Sequence, residues 1–529
     1  MIRQDLSPRP EISRRAALWR LTGGAIGLAA PGALRSLPAR AVSDTLTLAL
    51  PNNPVTLDPI NSANWEAMAI TQAIFENLVE VDVDGNLQPR LAVALPEISR
   101  DRLTYRFELR SDVHFQNGRP MSAEDVKYSF EYLLGPANKS IRRPLFSPID
   151  RVVVEDPRHV RFELKSPYRP WLDYLTPYMG IFPKGSREEN PANFFKVSPT
   201  GVGTGPAIFV EWRPNEYVRL KRNPHYWANP LPHWESLIIR IIPEDTGRIA
   251  ALLTGQVDII SAPPPKDFAR LKAVPGIAGD DKATLGGWLF VATNTLEPPF
   301  DDVNLRKAVA HAIDRNSIAQ NVYYGLVDPC SIPAPPRGWW FDASADNKND
   351  YNISKAKEYL SKSKYAKGAE FEMMMPSQPY VLDVRDAAVV IQAQLAELGI
   401  KMHQRLVEQG VLLQMIGTGQ HVAALQIWMS PGEPSFMLDN AFNPRAFMSQ
   451  SSGYTSAELQ ALILKSFEAG DQTALKAVLS QIYHILASEC PMLWLGYVHV
   501  TNLWRDSVKN FRVNQGLTMR VREVEKVEA

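Results

Sequence analysis

Residues 104–126 place a strand, a tight turn and a helix start next to one another, and this block constrains the fold more than any other part of the chain. The alternation of apolar and charged residues that is typical of a half-buried strand is carried by Tyr105, Phe107 and Leu109. Asn117-Gly118 favours the positive backbone angles of a hairpin-type turn. Ser122, followed three residues later by Asp125, predicts a helix start. The block therefore indicates a well-specified segment of a globular protein.

Strands and helices alternate through the rest of the chain. Strands are predicted at 45–50, 160–165, 217–222, 237–243 and 288–294. Helices are predicted at 246–254, 303–314, 386–398, 456–469 and 471–488. This mixture predicts an α/β fold, and a chain of 529 residues is too long for one hydrophobic core, so we expect at least two lobes.

The N-terminal segment has the features of an export signal. Ser13-Arg14-Arg15 precedes an apolar run at 21–30, and Ala39-Arg40-Ala41 offers small residues for cleavage. This pattern resembles a twin-arginine signal peptide at 1–41, and the absence of a following Cys argues against a lipid anchor. We therefore expect a periplasmic protein, with a basic unstructured N-terminus as the alternative.

Charge and composition exclude several classes of function. Cleavage after residue 41 would remove seven Arg and two acidic residues, leaving a formal charge of −5. This balance argues against binding to nucleic acid, and the absence of a later long apolar run argues against membrane insertion. Cys330 and Cys490 are expected as buried free thiols, with a disulfide as the alternative. The scattered His residues indicate no metal site, and no cofactor is expected.

The block at 104–126 closely resembles the W-x-F-x-L-R-x-x-V-x-F-x-x-G-x-P-x-x-A-x-D-V block of the family 5 extracellular solute-binding proteins. Further similar stretches lie at 56–59, 74–78, 203–206, 220–227, 252–258 and 303–314. The resemblance implies a two-lobed periplasmic-binding-protein fold of the cluster C type, with an extra subdomain in the first lobe and a hinge. It also implies a monomer that works with the permease subunits of an ABC importer.

The resemblance also implies domain boundaries. After the signal peptide at 1–41, the first lobe is expected to comprise 42–80, 196–294 and 497–529, and its extra subdomain 81–195. The second lobe is expected at 295–496. Two chain crossings, near Asn294 and Tyr497, would join the lobes.

Catalytic motifs are absent from the sequence. The glycines at 201–206 lack the spacing of a phosphate-binding loop and lead into Pro206 instead of a helix, so we interpret them as a turn beside the cleft. There is no G-x-S-x-G nucleophile motif and no P-loop. We predict no catalytic residue and a protein that is not an enzyme.

Arg385 is a candidate anchor for a ligand carboxylate. The segment at 378–385 resembles the dipeptide-receptor run Q-x-P-Y-x-P-x-x-R, whose Arg clamps the carboxyl end of the ligand. A planar guanidinium can hold a carboxylate with two hydrogen bonds and keeps its charge. The alternative is a surface Arg paired with Asp383 or Asp386.

Trp428 is similar to a family tryptophan at the end of a strand that lines the pocket, where a broad aromatic wall accepts varied side chains. Its alternative is an ordinary core position. Peptide receptors usually read W-x-x-D-x-x-D-P here, the first Asp binding the ligand amine, whereas this chain has Pro431 near that position and Glu433 at the second acidic position. We therefore expect either Glu433 or Glu408 to replace the lost Asp, or a ligand without a free amine.

The resemblance places two further segments near the cleft. The first supplies Asn61, Ser62, Asn64 and Trp65 for hydrogen bonds and stacking, and a helix N-terminal cap is the alternative role for it. The second leads through Gly286 to Trp288 in the crossing strand.

The leading hypothesis is a periplasmic receptor that captures a peptide or peptide-like solute between two lobes and delivers it to an importer. The same machinery with a non-peptide cargo, such as an opine-like or modified amino acid conjugate, is the first alternative. An exported hydrolase and a periplasmic chaperone or signalling partner are the others.

Overall fold

The computed structural model describes residues 44–527 apart from 63, 137, 141, 380, 431, 445 and 513–518. The predicted signal peptide and Pro431 lie outside the described residues. The strands, in chain order, are β1 (Thr45–Leu50), β2 (Val79–Val81), β3 (Leu87–Pro89), β4 (Glu97–Ile98), β5 (Thr104–Glu108), β6 (Ile149–Asp156), β7 (His159–Leu164), β8 (Ala207–Arg213), β9 (Tyr217–Arg222), β10 (Ser236–Ile241), β11 (Ile259–Ser261), β12 (Ile277–Thr293), β13 (Val327–Pro329), β14 (Glu370–Pro376), β15 (Lys401–Val407), β16 (Ala423–Met429), β17 (Met492–Arg505), β18 (Val508–Lys509) and β19 (Glu525–Lys526).

Helices of very different length connect these strands. They are α1 (Trp65–Ile74), α2 (Ala123–Leu134), α3 (Arg143–Phe146), α4 (Trp171–Tyr178), α5 (Ser186–Glu189), α6 (Phe194–Val197), α7 (Asp245–Leu253), α8 (Pro265–Lys272), α9 (Val303–Ala312), α10 (Arg315–Ser317), α11 (Ala343–Asp346), α12 (Ile353–Lys362), α13 (Arg385–Ala396), α14 (Gln409–Gly417), α15 (Pro434–Phe442), α16 (Ala457–Glu468) and α17 (Gln472–Glu489). A π-helical turn at Ile318–Val322 and 3₁₀ turns at Asn347–Asn349 and Phe447–Ser451 complete the described helical structure.

The largest sheet in the described part of the chain has eleven strands. Ten of them follow the order β15-β14-β16-β12-β17-β11-β1-β10-β9-β8, and β13 also pairs with β17. Strand β1 runs parallel to β10 and β11, and β14 runs parallel to β15 and β16. Helices between parallel strands and antiparallel pairing at the centre give the mixed α/β architecture that the sequence predicts.

The two long strands β12 and β17 lie side by side at the centre of this sheet. Their antiparallel register is interrupted between Ala283 and Trp288. The Thr284 hydroxyl spans the interruption: it donates to the Val498 carbonyl at 2.8 Å and accepts from the Gly287 amide at 2.9 Å. On one side of the interruption β17 pairs with β11, and on the other side β12 pairs with β16. The chain therefore crosses twice between two groups of strands.

The block at 104–126 folds as its pattern predicts, with one difference. Strand β5 lies in a separate four-stranded sheet, β4-β5-β7-β6, and Tyr105 and Phe107 are buried. Gly118 has φ +86°, whereas Asn117 is not among the residues with positive φ, so one residue and not two supplies the left-handed angle. The Ser122 amide donates to Asp125 Oδ2 at 2.9 Å at the start of α2.

Element boundaries agree with the predicted ones to within about two residues in most cases, and β1 and β9 match the prediction at both ends. The predicted strand at 288–294 is the exception, because β12 begins at Ile277. Its first half includes Gly279, Asp280 and Asp281, which carry no strand pattern of their own. That half is ordered by its ladder with β17 instead.

A buried ion pair connects the 56–59 segment to helix α5. Arg187 donates from Nη1 to Asp58 Oδ2 at 2.9 Å and from Nη2 to Asp58 Oδ1 at 2.7 Å. The guanidinium also lies 3.6 Å from the ring centroid of Phe195.

The predicted turn at 201–206 packs on the end of α1, where the Gly205 amide donates to the Ile74 carbonyl at 2.9 Å.

Cys330 and Cys490 are buried free thiols, and burial raises the pKa of both.

Among the described residues, none of the helices combines the length and the apolar character needed to cross a membrane. In the same part of the chain, no group of three or more His, Cys, Asp or Glu side chains is arranged to hold a metal ion.

Candidate ligand-binding site

Two of the predicted site residues meet on neighbouring strands of the large sheet. Trp288 on β12 and Trp428 on β16 are directly paired in the antiparallel ladder. Directly opposed residues of neighbouring strands project from the same face of a sheet. The two indoles therefore belong to one aromatic surface beside the crossing strands.

The surroundings of these two indoles differ. Trp428 is half-buried, its Nε1 donates to Gln426 Oε1 at 3.0 Å, and its ring meets Phe290 edge-on at 4.7 Å between centroids. Trp288 is 2% exposed and packs edge-on against Tyr497 at 6.2 Å. Its Nε1 is buried without a hydrogen-bond partner among the described residues. A buried indole N–H normally finds a hydrogen-bond acceptor, and the Nε1 of Trp288 is an exception among the described residues.

The loop after β1 uses most of its polar side chains locally. Asn61 Nδ2 donates to Asp58 Oδ2 at 3.1 Å. Asn64 precedes α1 at the N-cap position, but its side chain donates to Glu66 Oε2 at 2.8 Å instead of capping the helix. Ser62 accepts at its carbonyl from Arg142 Nη2 at 2.7 Å, whereas its hydroxyl is buried without a partner among the described residues.

Trp65 lines a small cavity of about 20 Å³ that the sequence did not reveal. The cavity brings together the start of α1, the end of β11, strand β17 and the segment before α13, through Pro51, Trp65, Glu66, Ser261, Ala262, Val381, Val500 and Thr501. The Glu66 carboxylate is buried there, and this burial raises its pKa. An acidic residue in the first turn of a helix is too common to mark a site in advance.

Glu433 is a buried carboxylate at the N-terminus of α15. Its Oε2 accepts from the Phe436 amide at 2.9 Å, and Arg169 Nε lies 3.6 Å from its Oε1, which has no hydrogen-bond partner in the described part of the chain. Burial, followed by the charge of Asp173, raises the pKa of Glu433 to about 8. This carboxyl group can therefore hold a proton near neutral pH.

Arg385 occupies the first position of α13 and is 46% exposed at its side chain. Its Nε lies 2.9 Å from Oδ1 and 2.8 Å from Oδ2 of Asp383, and its Nη2 also contacts Oδ2. These bonds and the charge of Asp383 raise the pKa of Arg385. In this structure the guanidinium is thus satisfied by a carboxylate of its own chain.

The predicted residues fall into separate groups. Trp288 and Trp428 form one aromatic surface, Trp65 lies beside Val381 across a cavity, and Glu433 faces Arg169.

Gln426 is a further residue that the sequence did not indicate. It is buried, and its side-chain amide contacts Trp428 and also lines a second cavity of about 10 Å³ at the ends of β14 and β16. An aromatic wall with a few polar groups suits a small organic solute.

The architecture is that of two-lobed periplasmic binding proteins, and the comparisons with known proteins give the family. Residues 86–449 match the family described as "Bacterial extracellular solute-binding proteins, family 5 Middle". The chain belongs to this family.

Two relatives and one solved structure illustrate the likeness. The "Di/tripeptide-binding protein 1" of Pseudomonas aeruginosa is 26% identical over 96% of this chain and 97% of its own length. The "Glutathione-binding protein GsiB" of Salmonella typhi is 26% identical over 79% of this chain and 81% of its own length. The periplasmic binding protein DppA of Helicobacter pylori, solved with the peptide STSA, superimposes with a TM-score of 0.81 at 25% identity, covering 92% of this chain and 98% of that one.

Proposed function

We propose that this protein is the periplasmic solute-binding component of an ABC importer and captures a peptide or peptide-like small solute between its two lobes. The observation that carries the proposal is the pairing of Trp288 with Trp428 beside the two crossing strands. The relatives named above bind di- or tripeptides and glutathione according to their names, and the DppA structure contains a peptide, which supports the same class of cargo.

The domain boundaries and the hinge form part of this proposal. We place the first lobe at 42–80, 196–294 and 497–529, its extra subdomain at 81–195, and the second lobe at 295–496. The interruption between Ala283 and Trp288, where the strand ladder shifts its register, is where we expect the crossing strands to bend. Binding of the solute would favour the closed arrangement of the lobes, which the permease would then recognise.

The two polar ends of the ligand are the next part of the proposal. Arg385 would bind an acidic group of the ligand, exchanging its bonds to Asp383 for bonds to the ligand. Glu433 would face the other end, where its buried Oε1 lacks a hydrogen-bond donor in the described structure. Whether that end is a free amine or a blocked one decides between an ordinary peptide and a modified amino acid conjugate.

Export and location belong to the proposal as well. The twin-arginine pattern at 13–15 and the Ala39-Arg40-Ala41 site support export in a folded state and cleavage after residue 41. Mass analysis of the exported protein should show a chain that begins near Val42. An intact Met1 on protein isolated from the periplasm would contradict this.

Native mass spectrometry of protein purified from its own periplasm tests the proposed function. A defined small solute that copurifies with the chain and is recovered unchanged supports a receptor. Chemical turnover of that solute would instead indicate a hydrolase. An empty chain that copurifies with partner proteins would indicate the chaperone or signalling role.

A further inference from the structure

A continuous contact joins the extra subdomain to helices α15 and α16. The Tyr168 hydroxyl donates to Asp439 Oδ2 at 2.7 Å, and the Tyr168 ring meets Phe467 edge-on at 4.9 Å. Tyr174 packs edge-on against Phe436 at 5.2 Å. We call the contact made by residues 168–174 with α15 and Phe467 the closure contact. Within the proposed domain boundaries it lies between the two lobes.

The closure contact is rich in carboxylates and poor in cations. Glu433, directly before α15, faces Arg169 and Asp173 of the subdomain, so two acidic groups share one guanidinium. Asp439 on α15 adds a third buried carboxyl group, which accepts from the Tyr168 hydroxyl. The nearest ion-pair distance is the 3.6 Å between Arg169 Nε and Glu433 Oε1. Burying ionised carboxylates without counter-ions costs several kcal/mol, and a group in that position takes up a proton instead.

We propose that the closure contact is a proton-dependent latch, which holds the two lobes together when its surplus carboxyl groups are protonated and releases them when these groups ionise. The inference rests on the proposed function only in assuming that the lobes open and close. It adds that closure depends on pH and on Tyr168, Asp173 and Asp439, which have no assigned role in binding the solute. Glu433, which faces one end of the solute in the proposed function, takes part in the same contact.

The electrostatics of the individual groups supports the latch. Burial is the first cause in each case: the pKa of Glu433 is raised to about 8, that of Asp173 to about 6, and that of Asp439 also upwards. The groups that face them are Arg169, Tyr168 and Tyr174 from the subdomain, Asn443 at the end of α15, and Tyr483 from α17. Arg169 is the only cation among them.

The direction of the pH effect follows from these shifts. In an open form the same carboxyl groups would be hydrated and would titrate near pH 4, their usual value. The stabilisation of the closed form is therefore complete below about pH 4 and is lost as the pH rises through the closed-form values, about 6 for Asp173 and about 8 for Glu433. Closure should take up protons.

The test measures closure in the absence of any solute. Spin labels on Leu95→Cys and Leu464→Cys, both at exposed positions, report the distance between the subdomain and α16 by double electron–electron resonance. Cys330 and Cys490 are buried and do not compete for the label. We expect the ratio of closed to open protein to fall at least about tenfold between pH 5 and pH 8.5.

Three variants separate the latch from a general effect of pH. Asp173→Asn should flatten the pH dependence, and Asp439→Asn serves the same purpose if the first variant folds poorly. Tyr168→Phe removes a buried hydrogen bond and should lower the closed fraction about fivefold at every pH. Asp84→Asn, at an exposed turn of the same subdomain, is the matched control and should behave like the parent protein.

A closed fraction that does not change with pH would overturn the latch, as would a pH dependence in Asp173→Asn and Asp439→Asn equal to that of the parent. Absence of the closed distance at pH 5 would also contradict it. Because no solute is present, these outcomes are independent of the copurification result, and a failure of the latch leaves the proposed receptor function in place.

Discussion

Trp288 and Trp428 are directly paired across β12 and β16, two neighbouring strands of the large sheet. One indole is nearly inaccessible with an unused N–H, and the other is half-buried at the end of its strand. This difference assigns them separate roles. Under the proposed function, Trp288 would support the surface from within, and Trp428 would offer its ring to the solute.

Replacement of Trp428 by Ala should weaken binding of the copurified solute by roughly tenfold to a hundredfold, because a large stiff aromatic contact is lost. Isothermal titration calorimetry measures this directly. Trp212→Ala on the edge strand β8 is the matched control, since it removes an indole far along the sheet order from β16. Equal loss of affinity in both variants would argue against a role of Trp428 in the site.

The ion pair between Arg385 and Asp383 predicts opposite changes in the affinity for an acidic solute when one or the other residue is replaced. Arg385→Ala should weaken binding of an acidic solute by about 2–5 kcal/mol, the usual cost of truncating one partner of a desolvated charge pair. Asp383→Asn should tighten it, because the guanidinium would no longer be held by its neighbour. Thermal unfolding should change little in the Arg385 variant, since exposed ion pairs add little to stability.

The same titrations can count against this anchor. If neither substitution changes the affinity for acidic solutes, Arg385 is a surface residue paired with Asp383 and binds no ligand carboxylate. Affinity for an ester of the same solute provides the internal reference, because an uncharged group should be insensitive to both substitutions.

The amine end of the ligand can be examined with pairs of dipeptides that differ only in N-acetylation. A free ammonium group buried without a counter-ion is costly, so loss of the family's Asp predicts a preference for the acetylated member of each pair. Tight binding of free-amine dipeptides that is abolished in Glu433→Gln would instead show that Glu433 has replaced the missing Asp. Calorimetry on the parent protein and on Glu433→Gln distinguishes the two outcomes.

The buried pair of Asp58 and Arg187 should be important for stability and unimportant for ligand chemistry. Asp58→Ala leaves a buried guanidinium without its carboxylate, which costs about 3–5 kcal/mol in comparable buried pairs. Denaturant unfolding should show this loss. Asp84→Asn, on an exposed turn, should leave the unfolding free energy within about 0.5 kcal/mol of the parent value. A small loss in Asp58→Ala would mean that water already reaches the pair.

Local patterns predicted much of the fold. The alternation at 45–50 and 217–222 fixed both ends of β1 and β9, and the Ser122–Asp125 spacing predicted the start of α2. The first half of β12 could not be predicted in this way. Its Gly279 and neighbouring aspartates favour no strand, and its conformation comes from a partner more than two hundred residues later in the chain.

The site was predicted less completely, for a similar reason. Trp288 and Trp428 were named as cleft residues, but their direct pairing depends on a strand register that no local pattern reveals. Glu66 and Gln426 were missed because a helix-start Glu and a strand Gln have no distinguishing spacing. The surplus of carboxylates around Arg169 arises only when segments 168–174 and 433–439 meet in space.

A crystal structure of the protein with its copurified solute would show where the ligand binds. We expect density for the solute in contact with Trp428, between the loop that follows β1 and the end of β16, in a closed arrangement of the two lobes. Density for the solute elsewhere would contradict this expectation, for example at the separate cavity lined by Glu80, Arg90 and Arg522.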